Sequence, residues 1–311
     1  MQAAIETFAL SKVFGEIQAV HDLTMSVGAG EMFGIVGPDG AGKTTTIRML
    51  CGILAPTSGT AKVLGLDIIE ESDRLKRQIG YLSQRFSLYG DLTVDENIEF
   101  FAGINGVDDF REQRDALLEF TRLTPFSDRL AEQLSGGMKQ KLALACTLIH
   151  TPSVIFLDEP TTGVDPVSRR DFWKILQSLL KGGITIVMST PYLDEAERCT
   201  RVALMNQGSA MKIDTPAGIK KAMRGEVCEI VCDGIREGFA LLKVHPAVRE
   251  VQAFGDRLNV IVDRAYEALP VVESALRTRG IRIATSRVIP PSLENVFISL
   301  LTHPVAGDAA A

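Results

Sequence analysis

Residues 34–49 read Gly-Ile-Val-Gly-Pro-Asp-Gly-Ala-Gly-Lys-Thr-Thr-Thr-Ile-Arg-Met, and no other stretch constrains the fold as strongly. Gly37 to Thr44 follow the spacing G-x-x-x-x-G-K-T. Met32 to Val36, ahead of the loop, is apolar and β-favouring; Thr45 to Leu50, behind it, is helix-forming. A buried strand is thus expected to enter a glycine loop that opens a helix, the context a phosphate-binding loop requires. Glycines let Gly37, Pro38, Asp39, Gly40, Ala41 and Gly42 wrap closely around one anion, and the backbone N–H groups, which all but Pro38 carry, can point at it. The positive end of the following helix adds to that attraction. Lys43 supplies a charge for β- and γ-phosphates, and the Thr44 hydroxyl is placed for Mg²⁺. The motif points to a nucleotide without saying which one or what for.

The chain has 311 residues, enough for one large domain and a smaller one, with 46% hydrophobic residues to fill their cores. A net charge of −6 argues against a nucleic-acid-binding surface. No apolar run reaches the length of a membrane span, and residues 1–6 lack an export signal. Cys51, Cys146, Cys199, Cys228 and Cys232 sit in apolar segments and read as buried free thiols of a reducing compartment. Cys228 and Cys232 share one side of a predicted strand, yet no second pair exists to complete a metal site.

Strands are expected at Ile5–Leu10 and Leu23–Val27, with Phe14 and Val20 between them; an aromatic ring near a phosphate loop can stack on a base. Short strands follow at Thr60–Leu64 and Ile79–Ser83, and Gln84 directly after the latter can reach a metal ion. Residues 93–150 read as mostly helical. Thr93 with Glu96 makes a capping box, and Phe110–Leu123 and Met138–Ile149 carry helical periodicity. Within this insert, Ser135 is a good N-cap for a helix opened by Gly136 and Gly137, a second anion-binding helix start in one chain. Ser153–Leu157 is a continuous apolar run ending in Asp158 and Glu159. An acidic pair at the end of a buried parallel strand fits one Mg²⁺ partner and one carboxylate that polarises water. Gly163-Val164-Asp165-Pro166 makes a turn before an amphipathic helix, Arg169–Lys181. A buried strand, Ile184–Ser189, a helix starting at Asp194 and a strand, Val202–Met205, complete a mostly parallel sheet. Composition changes near Gly225. From there the order βαββαβ plus a helix (226–301) suits a small α+β, ferredoxin-like domain, and the tail from His303 predicts disorder.

In this order, GPDGAGKTT (37–45), Gln84, LSGGMKQ (134–140), VIFLDEP (154–160) and TGVDP (162–166) resemble the ATP-binding subunit of an ABC transporter. LSGGMKQ is the most specific of these segments. The resemblance covers about residues 4–225. YLSQRFSLYGDLTVDENIEFFAGI (81–104) and PPSLENVFISLL (290–301) are similar to the ATPases of multidrug and antibiotic-resistance exporters. It implies an α/β fold: a P-loop NTPase, ABC ATPase domain over 1–225 with a helical insert at about 86–152, plus the small C-terminal domain over 226–301 and a tail over 302–311. It also implies ATP and Mg²⁺ as cofactors, a second ABC ATPase chain (identical or different), a separate membrane permease, and a place at the cytoplasmic face of the membrane. Phe14 would stack on adenine. Thr44, Gln84 and Asp158 would surround Mg²⁺, and Glu159 would activate water. Ser135, Gly136 and Gly137 would meet the partner's nucleotide, with Thr45, Val20 and Asp165 counted among the nucleotide contacts.

Two positions depart from the family. Where it usually has Ser-Thr-His, this chain reads Ser189-Thr190-Pro191, and proline offers no donor. The family pattern then implies a weak site of its own and either a heteromeric pair or a slow homodimer. Asp39 stands where Asn is more usual, a carboxylate near phosphates. Besides an exporter ATPase, a hydrolysis-poor regulatory subunit or a soluble non-transport ABC ATPase fits the same motifs. One phosphate loop, one signature and an acidic balance weigh against the last.

Overall fold

The structure, a computed structural model, describes residues 3–84 and 88–303. The start of the expected helical insert (86 and 87) and residues 304–311 of the expected tail lie outside the described residues. The chain divides into two compact units between Ile213 and Asp214.

The first unit opens with a hairpin of two 12-residue strands, β1 (Ala3–Phe14) and β2 (Ile17–Gly28), turning at Gly15 (φ +58°). The strands are longer than expected. Phe14 and Val20 lie within them rather than in the turn, with Lys12 opposite Val20 and Phe14 opposite Ile17. Irregular register between Thr7 and Val13 breaks the alternation that would have revealed the full length. Then come β3 (Met32–Val36), α1 (Lys43–Leu50), β4 (Ser58–Val63), β5 (Leu66–Asp67), α2 (Ser72–Lys76) and β6 (Ile79–Leu82). The helices α3 (Val94–Ile104), α4 (Arg111–Thr121) and α5 (Gly136–Leu148) form the insert. Thr93 and Glu96 make the expected reciprocal cap of α3. The unit ends with β7 (Val154–Asp158), α6 (Pro166–Lys181), β8 (Thr185–Thr190), α7 (Leu193–Ala196), β9 (Arg201–Asn206) and β10 (Ser209–Asp214).

One sheet has the order β2-β1-β4-β5 and a second the order β10-β9-β3-β8-β7-β6, parallel from β9 through β6. Every residue of β3, β7 and β8 is buried. Strands covered on both faces read as continuous apolar runs, and these three do. Their register sets Val36 beside Thr190 and Asp158 beside Ser189, so all three carboxyl ends meet at one edge. That edge is where open parallel sheets bind ligands.

In the second unit α8 (Pro216–Lys221) packs on α11 (Leu293–Thr302), which is why the division precedes the composition change at Gly225. Thr215, accepting from the Gly218 N–H, with Pro216 at the first helical position, was the signal for α8. Between them run β11 (Glu226–Cys232), α9 (Ile235–Lys243), β12 (Glu250–Phe254), β13 (Arg257–Val262), α10 (Ala265–Thr278) and β14 (Ile283–Ile289). The sheet order β12-β13-β11-β14, antiparallel throughout, is the ferredoxin-like arrangement expected from βαββαβ. Cys228, Ile230 and Cys232 face a core with Leu242, Val272 and Leu276. On the other face, buried Asn295 exchanges hydrogen bonds with Gln252 and holds α11 against β12 (2.8 Å and 3.0 Å). All five cysteines are free and buried; burial pushes the Cys199 thiol up to about 12.

Candidate active site

The loop after β3 is glycine where nothing else fits. A Cβ on Gly37 would lie 2.1 Å from the Met205 carbonyl oxygen. On Gly42, at φ +94°, it would lie 2.4 Å from that of Ala19. Gly42 caps α1 without a side chain, and no acidic residue sits in the first turn. The first N–H groups of α1 therefore have neither an intrahelical partner nor a side-chain cap, and are left for an anion. Ala41 N–H closes the loop on the Pro38 carbonyl (3.2 Å). Asp39 is exposed. Removing an exposed charge is worth little, so Asp39→Asn is expected to tighten ATP binding by about threefold or less. Titration calorimetry checks this; a large loss of binding would instead assign Asp39 a specific contact.

Lys43 is 4% exposed, and its ammonium meets three oxygens. Nζ donates to the carbonyls of Gly37 (2.9 Å) and Pro38 (3.0 Å) and pairs with Glu159 Oε1 at 3.2 Å. Thr44 Oγ1 donates to Asp158 Oδ1 (2.9 Å), which also accepts from Ser189 Oγ (2.6 Å). Asp158 Oδ2 is buried without a partner among the described residues. An orphaned carboxylate oxygen beside a threonine hydroxyl is a hard oxygen set, so these residues fit Mg²⁺. Gln84, expected at the metal, donates from Nε2 to Glu159 Oε2 (3.0 Å). Glu159 itself has φ +49° and donates its N–H to Ser189 Oγ (3.0 Å). Such left-handed backbone in a non-glycine residue persists only where the surroundings hold it.

Val20 is fully buried in the core, and its Cγ2 lies 3.4 Å from where a Gly42 Cβ would sit. Phe14, on the same hairpin, is 48% exposed, with Lys12 Nζ 5.1 Å from its ring centroid. Ser135 caps α5 as expected, accepting from the Met138 N–H (3.3 Å). Gly136 faces open space, while a Cβ on Gly137 would collide with Ser168 at 2.4 Å. Asp165 caps α6 through Val167 and Ser168 (both 3.0 Å). Its bonds from Ser168 hold its carboxyl below the usual carboxylate range. The structure thus gathers Lys43, Thr44, Gln84, Asp158 and Glu159 in one place. It sets Ser135–Gly137 beside Asp165 and Ser168. Sequence reasoning missed Ser189, which joins Asp158 to Glu159, and the buried carboxylate of Glu195.

A glycine loop opening a helix, with an acidic strand end against its lysine and threonine, defines a nucleotide-binding protein of the phosphate-loop class. Residues 20–162 match the ABC transporter family and residues 215–301 match the C-terminal domain of DrrA1-3-like ATP-binding proteins. The chain belongs to the ABC transporter family of ATP-binding proteins. It is 35% identical to the daunorubicin resistance ATP-binding protein DrrA2 of Streptomyces coeruleorubidus over 307 residues, 96% of this chain and 95% of that one. Over 222 residues, 70% of this chain, it is 43% identical to the probable multidrug ABC transporter ATP-binding protein YbhF of Escherichia coli, of whose length the match spans 38%. Among solved structures, a dimeric ATP-binding cassette in a post-hydrolysis state, bound to ADP and Pi, is similar with a TM-score of 0.61 and 25% identity, covering 68% of this chain and 98% of that one. Among the described residues no helix is long and apolar enough to cross a membrane.

Proposed function

We propose that this chain hydrolyses ATP and uses the cycle to power export of a drug-like or lipid-like compound through a separate membrane permease, held at the cytoplasmic face of the membrane. The observation that carries this is the meeting of Lys43, Thr44, Asp158 and Glu159 at the end of the parallel strands. The names of the relatives, multidrug and daunorubicin resistance ATP-binding proteins, support export.

The loop amides and the α1 N-terminus bind the phosphates, and Lys43 exchanges Glu159 and its two carbonyls for phosphate oxygens. That exchange frees the Glu159 carboxylate to take a proton from water. Thr44 and the orphaned oxygen of Asp158 would hold Mg²⁺, which when bound neutralises charge on the phosphates. Phe14 offers its exposed face to the base. Ser135, Gly136 and Gly137 take the nucleotide of a second ATPase chain, so that each chain serves two sites; the dimeric neighbour supports such pairing. Purified chain that neither hydrolyses ATP nor recovers a multi-span permease from membranes would overturn the reading.

Pro191 favours a second form of it, a subunit whose own site is weak and which completes a competent site on a different partner. Pro191 ends β8 beside Thr190 and brings no hydrogen-bond donor to the place. Pro191→His is expected to raise kcat of the purified chain by about tenfold or more, the worth of one donor aimed at developing charge. An unchanged rate would mean a homodimer that turns over without that donor.

A further inference from the structure

We propose that Glu195 is a positioning residue for hydrolysis: its buried carboxylate ties the segment after Glu159 to the end of β8 and so fixes the aim of Glu159. The proposal rests on the hydrolytic reading above.

Glu195 lies in α7 and is 1% exposed, whereas its neighbour Asp194 is exposed. Each of its oxygens accepts one hydroxyl from a different segment. Thr161 Oγ1 donates to Oε1 at 2.6 Å and Thr190 Oγ1 donates to Oε2 at 2.8 Å. Arg169 of α6 supplies the opposite charge, its Nε 3.7 Å from Oε1, and its guanidinium stands 5.0 Å from the Tyr192 ring centroid. Tyr192 N–H donates to the same Thr190 hydroxyl (3.0 Å). Thr161 follows Glu159 by two residues. Thr190 follows Ser189, whose hydroxyl accepts from the Glu159 N–H and donates to Asp158. The bonds therefore close a ring: Glu159, Thr161, Glu195, Thr190, Ser189 and back to Glu159. The left-handed φ of Glu159 lies inside that ring.

A carboxylate is an expensive way to fill a core, since an apolar side chain of like volume is often as stable or more so. What an apolar side chain cannot do is hold two hydroxyls from two loops at once. Glu195 touches neither the phosphate loop nor Asp158 in any hydrogen bond among the described residues, so its effect on chemistry passes through Glu159. A small displacement of a reacting group can lower a rate by about a hundredfold.

The test uses the purified full chain with Mg-ATP. Thr161→Val and Thr190→Val each delete one hydroxyl at near-constant volume and are expected to lower kcat by about tenfold, and Glu195→Ala by about a hundredfold. KM for ATP and the ATP dissociation constant by equilibrium dialysis stay within about twofold, because the phosphate loop is untouched. Glu195→Gln keeps one acceptor and is expected to fall between wild type and Glu195→Ala. Adding Thr161→Val to Glu195→Ala costs no further rate, because both cut one ring. If Glu195→Ala fails to fold, the two valine variants and Glu195→Gln decide the matter. A kcat near wild type in Thr161→Val and Glu195→Gln overturns the proposal, as do losses in which KM rises in step. A wild-type chain without hydrolysis strikes the hydrolytic reading, and this proposal with it; active variants strike the proposal alone.

Discussion

Glu159→Gln is expected to lower kcat by about 10²- to 10⁴-fold, the usual worth of a general base, while ATP still binds. Glutamine keeps the volume of the side chain and one oxygen to accept from Lys43 Nζ, now 3.2 Å from Glu159 Oε1. Gln84 and Thr162, which both donate to Oε2, meet an amide nitrogen there and must turn to accept from it, while the shape of the pocket is kept. What disappears is the charge that would draw a proton from water. The phosphate loop, α1 and Thr44 are unchanged, so the ATP dissociation constant stays close to that of wild type. Because bound ATP now persists, size exclusion with Mg-ATP is expected to show a two-chain species. Turnover retained within tenfold would remove Glu159 from the base role. Persistent nucleotide that never joins two chains would end the idea that Ser135–Gly137 serve a second site.

Lys43→Ala is expected to damage both binding and stability, and for separable reasons. Nζ is one of the positive groups that phosphate would meet, and truncating one partner of a buried charge contact costs about 2–5 kcal/mol, the middle of that range being a loss in affinity of about four hundredfold. Without ATP the same change strands Glu159, whose side chain is only 7% exposed. Leaving a buried charge unpaired costs about 3–5 kcal/mol, which lowers the melting temperature by roughly 10 °C for a unit of this size. The double variant Lys43→Ala, Glu159→Gln separates the two effects. It regains most of the thermal stability, because no bare charge remains, and none of the ATP affinity. Scanning calorimetry and equilibrium dialysis read the two halves. A double variant as unstable as Lys43→Ala would show that the ion pair does not hold the empty site together.

The strand–loop–helix around Lys43 was legible because its causes are local. A Cβ collision at Gly37 and a left-handed turn at Gly42 force glycine at fixed spacing. The caps at Thr93 and Ser135 were equally plain, since each is settled within four residues. β7 and β8 could be read from their apolar runs. What stayed hidden arises between distant segments or in very short ones. The bond from Thr44 to Asp158 spans 114 positions and no spacing announces it. Gln84 was expected at the metal, and only folding brings its amide to Glu159. Asp194 and Glu195 look alike in the sequence, and a helix of four residues decides which of them is buried. β5 and α2 are too short for any period to register, and β10 is only half-buried, so its pattern carries little contrast.

The distance along the chain between Lys43, Asp158 and Ser189 also bears on how the protein is made. No stretch emerging early in synthesis holds a working half of the site, because three parallel strands must first find one another, and distant pairings of this kind are slow to form. A ligand that grips only the finished arrangement stabilises it by mass action, by about 2.7 kcal/mol at a hundredfold excess over its dissociation constant. In a cell well supplied with ATP, the nucleotide would also act as a clasp that favours completed molecules over partly assembled ones. Starvation would therefore be expected to cost this protein abundance as well as work.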